Sequence, residues 1–534
     1  MNQTDIQKSF WRGTFIVSGA AILVKVLSAF YRIPYQNIAG DLGLYVYQQV
    51  YPFYAIAFAL SLYGFPLMLS KLLSEHTGDN DIKDILSNSF TGLSLFFVGL
   101  FVTLYSISPV ISGFMHDPML TKPLQVASFA FLFVPILSVT RGYFQAEGEM
   151  VPTAVSQVLE QFVRVSMIIL LTVWLVSQGS DHYSVGSGAI FGGLVGSLVS
   201  VVVLLLYVRN LEGGTPFNIN SLKTSRMIPT LWVLLKGGFA ICVTTVMLAL
   251  FQLIDAFQVV PALLESGAGL REAIVSKGIF DRGQPLLQLG TVIATAMALP
   301  LIPFIAKAKQ NHDNAQIKTF TGVSLKFSFI FGGAAAVGLS VIIVPTNVFL
   351  YQDADGSFAL GLLSAAILFG SLAITSSAVL QGLGKIGYPV LFIFVALIVK
   401  GLLNSVLIPM FGIAGSALST VIGTAIVTIL NMIMIDRLTD VFKSQRFYSW
   451  KVITALVLMA IATSLWKELW MVLYTLEGRT YAGFVALSSV MVGGIVFVKA
   501  LLYQNVWKKE EIAMLPKGQA LLRLLYKERI GGNG

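Results

Sequence analysis

The chain has 534 residues, 56% of them hydrophobic and only 11% charged, with a formal net charge of +9. A soluble domain typically carries about 25% charged residues, so this composition excludes a soluble globular class and indicates an all-α polytopic membrane protein. The positive charge fits membrane orientation rather than nucleic-acid binding, and the single cysteine, Cys242, excludes an intramolecular disulfide and a multi-cysteine metal site.

Lys8 and Arg12 precede the first apolar stretch, which has no convincing small-residue cleavage site and is expected to be a first span rather than a removed signal peptide. At ~20 apolar residues per crossing, about fourteen spans are expected. They fall roughly at 12–33, 44–70, 86–110, 124–146, 152–177, 187–208, 230–255, 285–306, 318–345, 358–381, 388–409, 412–435, 451–472 and 481–503. An even number puts both termini on one side. With the N-terminus in the cytoplasm, about 22 Lys and Arg fall inside and about seven outside, which predicts an N-in, C-in orientation. Only the segments 256–284 (outside) and 209–229 (inside) are read as longer loops. The tail 506–534 interleaves leucines with Arg523, Lys527 and Arg529 and is expected to form a cytoplasmic amphipathic helix on the anionic leaflet.

The chain repeats itself. Gln145 and Arg164 are 19 apart, as are Gln381 and Lys400, and Gly148 and Gly384 each fall three residues after the glutamine. Thr91-Gly92-Leu93-Ser94-Leu95 echoes Thr321-Gly322-Val323-Ser324-Leu325. These matches map spans 3–5 onto spans 9–11, an even offset, so both halves enter the membrane the same way. The expected organisation is two parallel six-helix repeats, 1–210 and 211–440, followed by two additional helices within 441–505, with substrate between the halves.

Ionisable residues at membrane depth cost at least ~2.5–3.5 kcal/mol on insertion scales and mark candidate pathways. Lys25 and Arg32, seven apart, share one helix face about 10 Å apart along the axis and suit a phosphate or pyrophosphate; alternatively Arg32 snorkels to the outer headgroups. Pro34 is expected to bend or end that helix. Glu160 and Arg164, four apart, are placed to pair on one face of span 5. Lys400 matches Arg164 in the repeat but has Ala396 where Glu160 would stand, so it needs another partner or a wet cavity. Asp281 and Arg282 lie at the start of span 8 beside Pro285, with Gln284 and Gln288 on one face, as an outer gate or cavity rim. Asp255, at the outer end of span 7, is a candidate gate residue and partner for Arg282. Lys236 and Lys326 are read as structural, Lys326 by snorkelling to the inner headgroups. His76, His116, His182 and His312 fall in loops and suggest no metal site.

The run Met150-Val151-Pro152-Thr153-Ala154-Val155-Ser156-Gln157-Val158-Leu159-Glu160-Gln161-Phe162-Val163-Arg164-Val165 resembles the multidrug/oligosaccharidyl-lipid/polysaccharide (MOP) exporter superfamily, in the polysaccharide transporter branch that includes stage V sporulation protein B. Gly278-Ile279-Phe280-Asp281-Arg282-Gly283-Gln284-Pro285-Leu286 is similar to that branch, and its Asp-Arg pair resembles the lipid II flippases. The resemblance implies a flippase for an undecaprenyl-pyrophosphate-linked sugar, working by alternating access at the bacterial plasma membrane. By this resemblance Lys25, Arg32 and Arg282 would line a central cationic cavity, and the last two spans would form a groove for the lipid tail. Lys400, Arg164, Glu160, Asp281 and Gln288 complete the candidate substrate-binding set.

No P-loop, nucleophile elbow or paired metal-binding histidines occur, so neither an enzyme activity nor a cofactor is expected. Energy would come from the membrane potential or an ion gradient, at ~2.3 kcal/mol per charge per 100 mV. The expected partners are a lipid-linked oligosaccharide, membrane lipids and a cell-wall glycosyltransferase. The rival functions are a cation-coupled multidrug exporter, which would favour an acidic cavity, and a membrane glycan polymerase or ligase, which would need acidic or nucleophilic groups in a large outer loop.

Overall fold

The computed structural model describes residues 23–24, 26–76, 78–211, 224–441, 449–473 and 478–506. Lys25 and the tail beyond Val506 lie outside them. Fourteen helices among the described residues are long and apolar enough to cross a membrane, and the fold is all-helical.

Residues 26–30 are helical and lead into α1 (Arg32–Ala59), a π-helical turn (Leu60–Gly64) and α2 (Phe65–Ser74). Pro34 does not end this helix, because a proline in a first turn removes an N–H that has no intrahelical partner. The break comes at Gly40, with φ 71° and ψ −178°. Nothing lies within 4 Å of a Cβ built there, so backbone conformation rather than space selects glycine. Pro52, inside α1, has no N–H for the carbonyl of Gln48. Gln252 of α9 supplies the missing donor, with its Nε2 3.1 Å from the Gln48 oxygen.

The chain continues through α3 (Asp79–Phe114), α4 (Thr121–Ser128), α5 (Ala130–Ala146), α6 (Met150–Ser177) and α7 (His182–Arg209). Asp181 caps α7 by accepting from the Tyr183 and Ser184 N–H groups. The expected seventh span is two helices, α8 (Thr224–Thr245) and α9 (Met247–Glu265), meeting at Val246. The segment read as the long outer loop 256–284 is instead the end of α9, the helix α10 (Leu270–Asp281) and the start of α11 (Gly283–Gln310). Its Lys277, Asp281 and Arg282 are buried in ion pairs, so low hydrophobicity did not mean a loop. There follow α12 (Asn314–Val341), α13 (Ile343–Tyr351), α14 (Ser357–Gly382), α15 (Gly387–Phe411) and α16 (Ile413–Thr439). The last two are α17 (Ser449–Leu473) and α18 (Arg479–Tyr503).

Helices α5–α7 pack on one another, as do α14–α16, and α1 bridges to α9 and α10. Small residues permit the close crossings. A Cβ on Gly64 would fall 2.6 Å from the carbonyl oxygen of Gly238 on α8, and one on Gly278 of α10 would fall 2.3 Å from that of Asp41. Helices α17 and α18 rest on α12 and α13 through Ile330, Leu456, Met459 and Phe497. There Lys326 does not snorkel outward; its Nζ donates to the carbonyl of Val506 at 2.6 Å.

Candidate functional site

Three groups of buried charges stand out. The first closes one end of the bundle. Arg282, at the junction of α10 and α11, is fully buried. Its Nε and Nη2 donate to Asp41 at 2.8 and 2.6 Å, and Nη1 and Nη2 to Asp353 at 2.6 and 2.9 Å. One planar guanidinium thus grips two carboxylates, the bidentate geometry lysine cannot reproduce. The Tyr351 hydroxyl donates to the Arg282 carbonyl, and Asn37 donates to the carbonyl of Leu350. Partial burial pulls the Asp353 carboxyl up, but hydrogen bonds from Arg282 and the Asp355 N–H, together with the Arg282 charge, outweigh it and hold the group below the usual carboxylate range. In this conformation Arg282 is a latch between α1 and the α13–α14 turn.

The second group lies between α9, α15 and α16. Lys400 pairs with Asp255 at 2.7 Å and donates to Thr420 at 2.7 Å and Ser419 at 3.3 Å. Asp255 also accepts from Asn404 and Ser416. Asp255 is therefore the partner of Lys400, not of Arg282, because it faces α15 while Arg282 faces α1. Lys400 is not left unpaired: its acid comes from another helix. Nearby, Lys277 holds both oxygens of Asp281 at 2.6 Å. The Asp281-Arg282 sequence pair does not act as a unit: Asp281 pairs with Lys277, Arg282 pairs with Asp41 and Asp353, and both are buried.

The third group lies among α1, α5, α6 and α7. Glu160 does not pair with Arg164. It accepts from Arg141 at 2.7 Å and from Ser197 at 3.0 Å, and Arg141 also donates to Ser200 at 2.7 Å. Arg141 reaches further to the carbonyl of Ser61, in the π-helical turn. Arg164 instead turns to aromatic rings. Its Nη2 donates to the Tyr31 hydroxyl at 3.3 Å, and its guanidinium lies 5.1 Å from the Tyr54 ring centre. Arg32 is wholly buried, and none of its three nitrogens has a hydrogen-bond partner among the described residues. It covers the Tyr51 ring at 4.2 Å, so it does not snorkel.

Tyr51 also lines a cavity of about 150 Å³ between α1 and helices α8, α9 and α11. Gln252, Gln284, Gln288 and Thr291 line the far wall, and Val24 and Ser28 the near one. The predicted glutamine stripe of α11 therefore faces the centre of the molecule. The space holds only a few waters. Sequence reading missed Arg141, Lys277, Asp41 and Asp353. Arg141 carried a usable signal, a charge within the apolar run of α5, and Lys277 stands four residues before Asp281. Asp41 follows the Gly40 break inside α1 and Asp353 lies in the α13–α14 turn, and neither has a distinguishing local pattern.

The helical bundle, the three groups of buried charges and the central cavity are the features of a polytopic membrane transporter. Residues 10–309 match the model of the family described as "Polysaccharide biosynthesis protein", and the chain belongs to that family. It is 38% identical to the Bacillus subtilis protein described as "Uncharacterized membrane protein YabM", over 98% of each chain. It is 27% identical to the B. subtilis "Lipid II flippase MurJ", over 91% of this chain and 94% of that one. Among solved structures, a lipid II flippase MurJ in an inward closed conformation matches with TM-score 0.69 at 16% identity, covering 92% of this chain and 99% of the other. An inward-facing multidrug resistance MATE transporter of the MOP superfamily matches with TM-score 0.65 at 15% identity, covering 79% and 96%. The chain is a multi-pass plasma-membrane protein.

Proposed function

We propose that this chain is a flippase for an undecaprenyl-pyrophosphate-linked cell-wall or polysaccharide precursor, working by alternating access. One observation carries the reading: Arg32 is a buried cation with no hydrogen-bond partner among the described residues, stacked on a tyrosine that lines the central cavity. A buried ion without a partner costs several kcal/mol, and an anionic headgroup entering the cavity would offset that cost through charge-assisted hydrogen bonds. The sequence relationship to a lipid II flippase supports the substrate class, and the excess of buried cations argues against a cavity built for cationic drugs.

In this reading the two repeat-related halves rock about the cavity. The Arg282 latch, at the end the charge count assigns to the outside, is closed here, and breaking it opens that end. The membrane potential or an ion gradient would drive the cycle. The test is to deplete the resident lipid II flippase of a bacterial host, express this chain, and measure labelled lipid II reaching the outer surface. Rescue by the wild type and loss on Arg32→Ala and Lys25→Ala at matched abundance would support both substrate and cavity. Rescue that both variants retain would sink the cavity. Absence of rescue by well-folded protein would remove lipid II as the substrate.

A further inference from the structure

The network around Lys400 surrounds a point of positive charge, and most of it does not need the lysine. The Lys400 Nζ meets three oxygens: the Asp255 carboxylate at 2.7 Å, the Thr420 hydroxyl at 2.7 Å and the Ser419 hydroxyl at 3.3 Å. They account for its three N–H groups. All of these residues are buried, on α9, α15 and α16. The carboxylate is fixed independently of the lysine, because its Oδ1 also accepts from Asn404 at 3.1 Å and from Ser416 at 2.8 Å. The hydroxyls are oriented independently too. Thr420 donates its proton to the Ser416 carbonyl at 2.8 Å, and Ser419 has Asn404 Oδ1 and the same carbonyl as acceptors. A hydroxyl has one proton, so each of them turns only lone pairs toward the ammonium.

The chain buries its other cations differently. Lys277 donates to the two oxygens of one carboxylate and to no hydroxyl. Arg164, the repeat-related counterpart of Lys400, has one tyrosine hydroxyl and aromatic rings. Around Lys400 alone, among the described residues, a carboxylate and two hydroxyls from three helices converge on one positive point. Hard oxygen ligands of this kind are the donor set of a metal-cation site. One carboxylate among neutral oxygens balances a single positive charge, so the ion that the set suits is monovalent. The Asn404 Oδ1, one hydrogen bond behind Ser419, is a further oxygen within reach of such an ion.

We propose that α9, α15 and α16 form a site for a monovalent cation, Na+ or K+, and that Lys400 fills it with its own ammonium. No free ion then exchanges at this place, and the positive charge there travels with α15. An ion gradient that drove the cycle would have to act elsewhere in the molecule. Lys277 is no substitute for Lys400, because Asp281 already holds it. The inference does not depend on what the central cavity transports, so either can fail alone.

The test removes the lysine and asks whether a free ion replaces it. The full chain in detergent is unfolded by heat in sodium, potassium or choline chloride at equal ionic strength, which holds screening constant. The unfolding temperature of Lys400→Ala is expected to rise by about 3 °C or more from choline to saturating sodium or potassium, because an ion that binds only the folded state stabilises it. The wild type should differ by less than about 1 °C among the three salts. Asp255→Asn/Lys400→Ala, which removes the carboxylate as well, should fold and lose the response. A Lys400→Ala protein that unfolds at one temperature in all three salts would overturn the proposal. So would a Lys400→Ala protein that folds in none of them while the double variant folds. A wild type that responds as strongly as Lys400→Ala would overturn it too, because the ion would then bind with the lysine in place.

Discussion

The sequence repeat sets Arg164 against Lys400, and the two residues meet opposite fates. Lys400 is sealed by Asp255, two hydroxyls and a fully occupied network. Arg164 has tyrosine rings and one long hydrogen bond. The wider regions differ in the same sense. Lys277 and Lys400 are balanced by Asp255 and Asp281, a net charge of zero. Among the described residues, Arg141 pairs with Glu160, while Arg32 and Arg164 form no salt bridge with a carboxylate. One region pairs each buried cation with an acid; in the other, among the described residues, two arginines rest on tyrosine rings instead.

The largest expected effect tests the sealed side. Asp255→Ala leaves the Lys400 ammonium buried without its acid and should cost about 3–5 kcal/mol of stability, read by chemical unfolding in detergent. Adding Lys400→Met should recover most of the loss. If the single variant is as stable as wild type, that network is not the seal described here. The open side should behave oppositely: Arg32→Met removes an unpaired buried charge, so stability should hold or rise while transport falls at least about tenfold. Destabilisation matching that of Asp255→Ala would erase the contrast.

The latch should give an intermediate effect. Asp41→Asn removes a charge-assisted pair worth about 1–3 kcal/mol. In a Cys242→Ala background, Gln284→Cys should then react about tenfold faster with an impermeant thiol reagent supplied from the Arg282 end. An unchanged rate would mean that packing at Gly278, not charge, holds that end shut. The smallest effect belongs to Asp353, whose side chain is 43% exposed; Asp353→Asn should cost under ~1 kcal/mol. Its sign with pH is fixed. A carboxyl held low in the folded state contributes fully above ~3.9, its ordinary value, and loses that contribution as pH falls through its lowered value. Labelling of the same Gln284→Cys site, normalised to the thiolate present at each pH, should therefore rise in acid, and less so when Asp353→Asn is added.

The spans were legible because apolar length is a one-dimensional signal, and the glutamine stripe of α11 because helical spacing is local. Partner choice was not. Glu160 and Arg164 sit correctly for an i,i+4 pair, yet Arg141 from α5 reaches Glu160 first, and only the packing of α5 on α6 decides that. Asp255 was placed at the end of a span because the break at Val246, invisible in the apolar run, divides the expected seventh span and puts Asp255 in the middle of α9. Helix α10 was invisible because its polarity reads as solvent exposure, whereas Lys277 and Asp281 satisfy each other inside the protein. Asp41 and Asp353 are 312 residues apart in sequence, and only Arg282 unites them.

The contact of Gly64 with Gly238 and the grip of Arg282 hold different parts of the molecule by unlike forces. A glycine crossing carries no charge, so dissolved ions leave it untouched, while any added methyl group would wedge it apart. The arginine clamp has partly exposed acids, and rising ionic strength weakens it within a screening length of about 8–10 Å. Osmotic conditions that concentrate salt at the Arg282 end should therefore loosen that end while the glycine crossing stays shut.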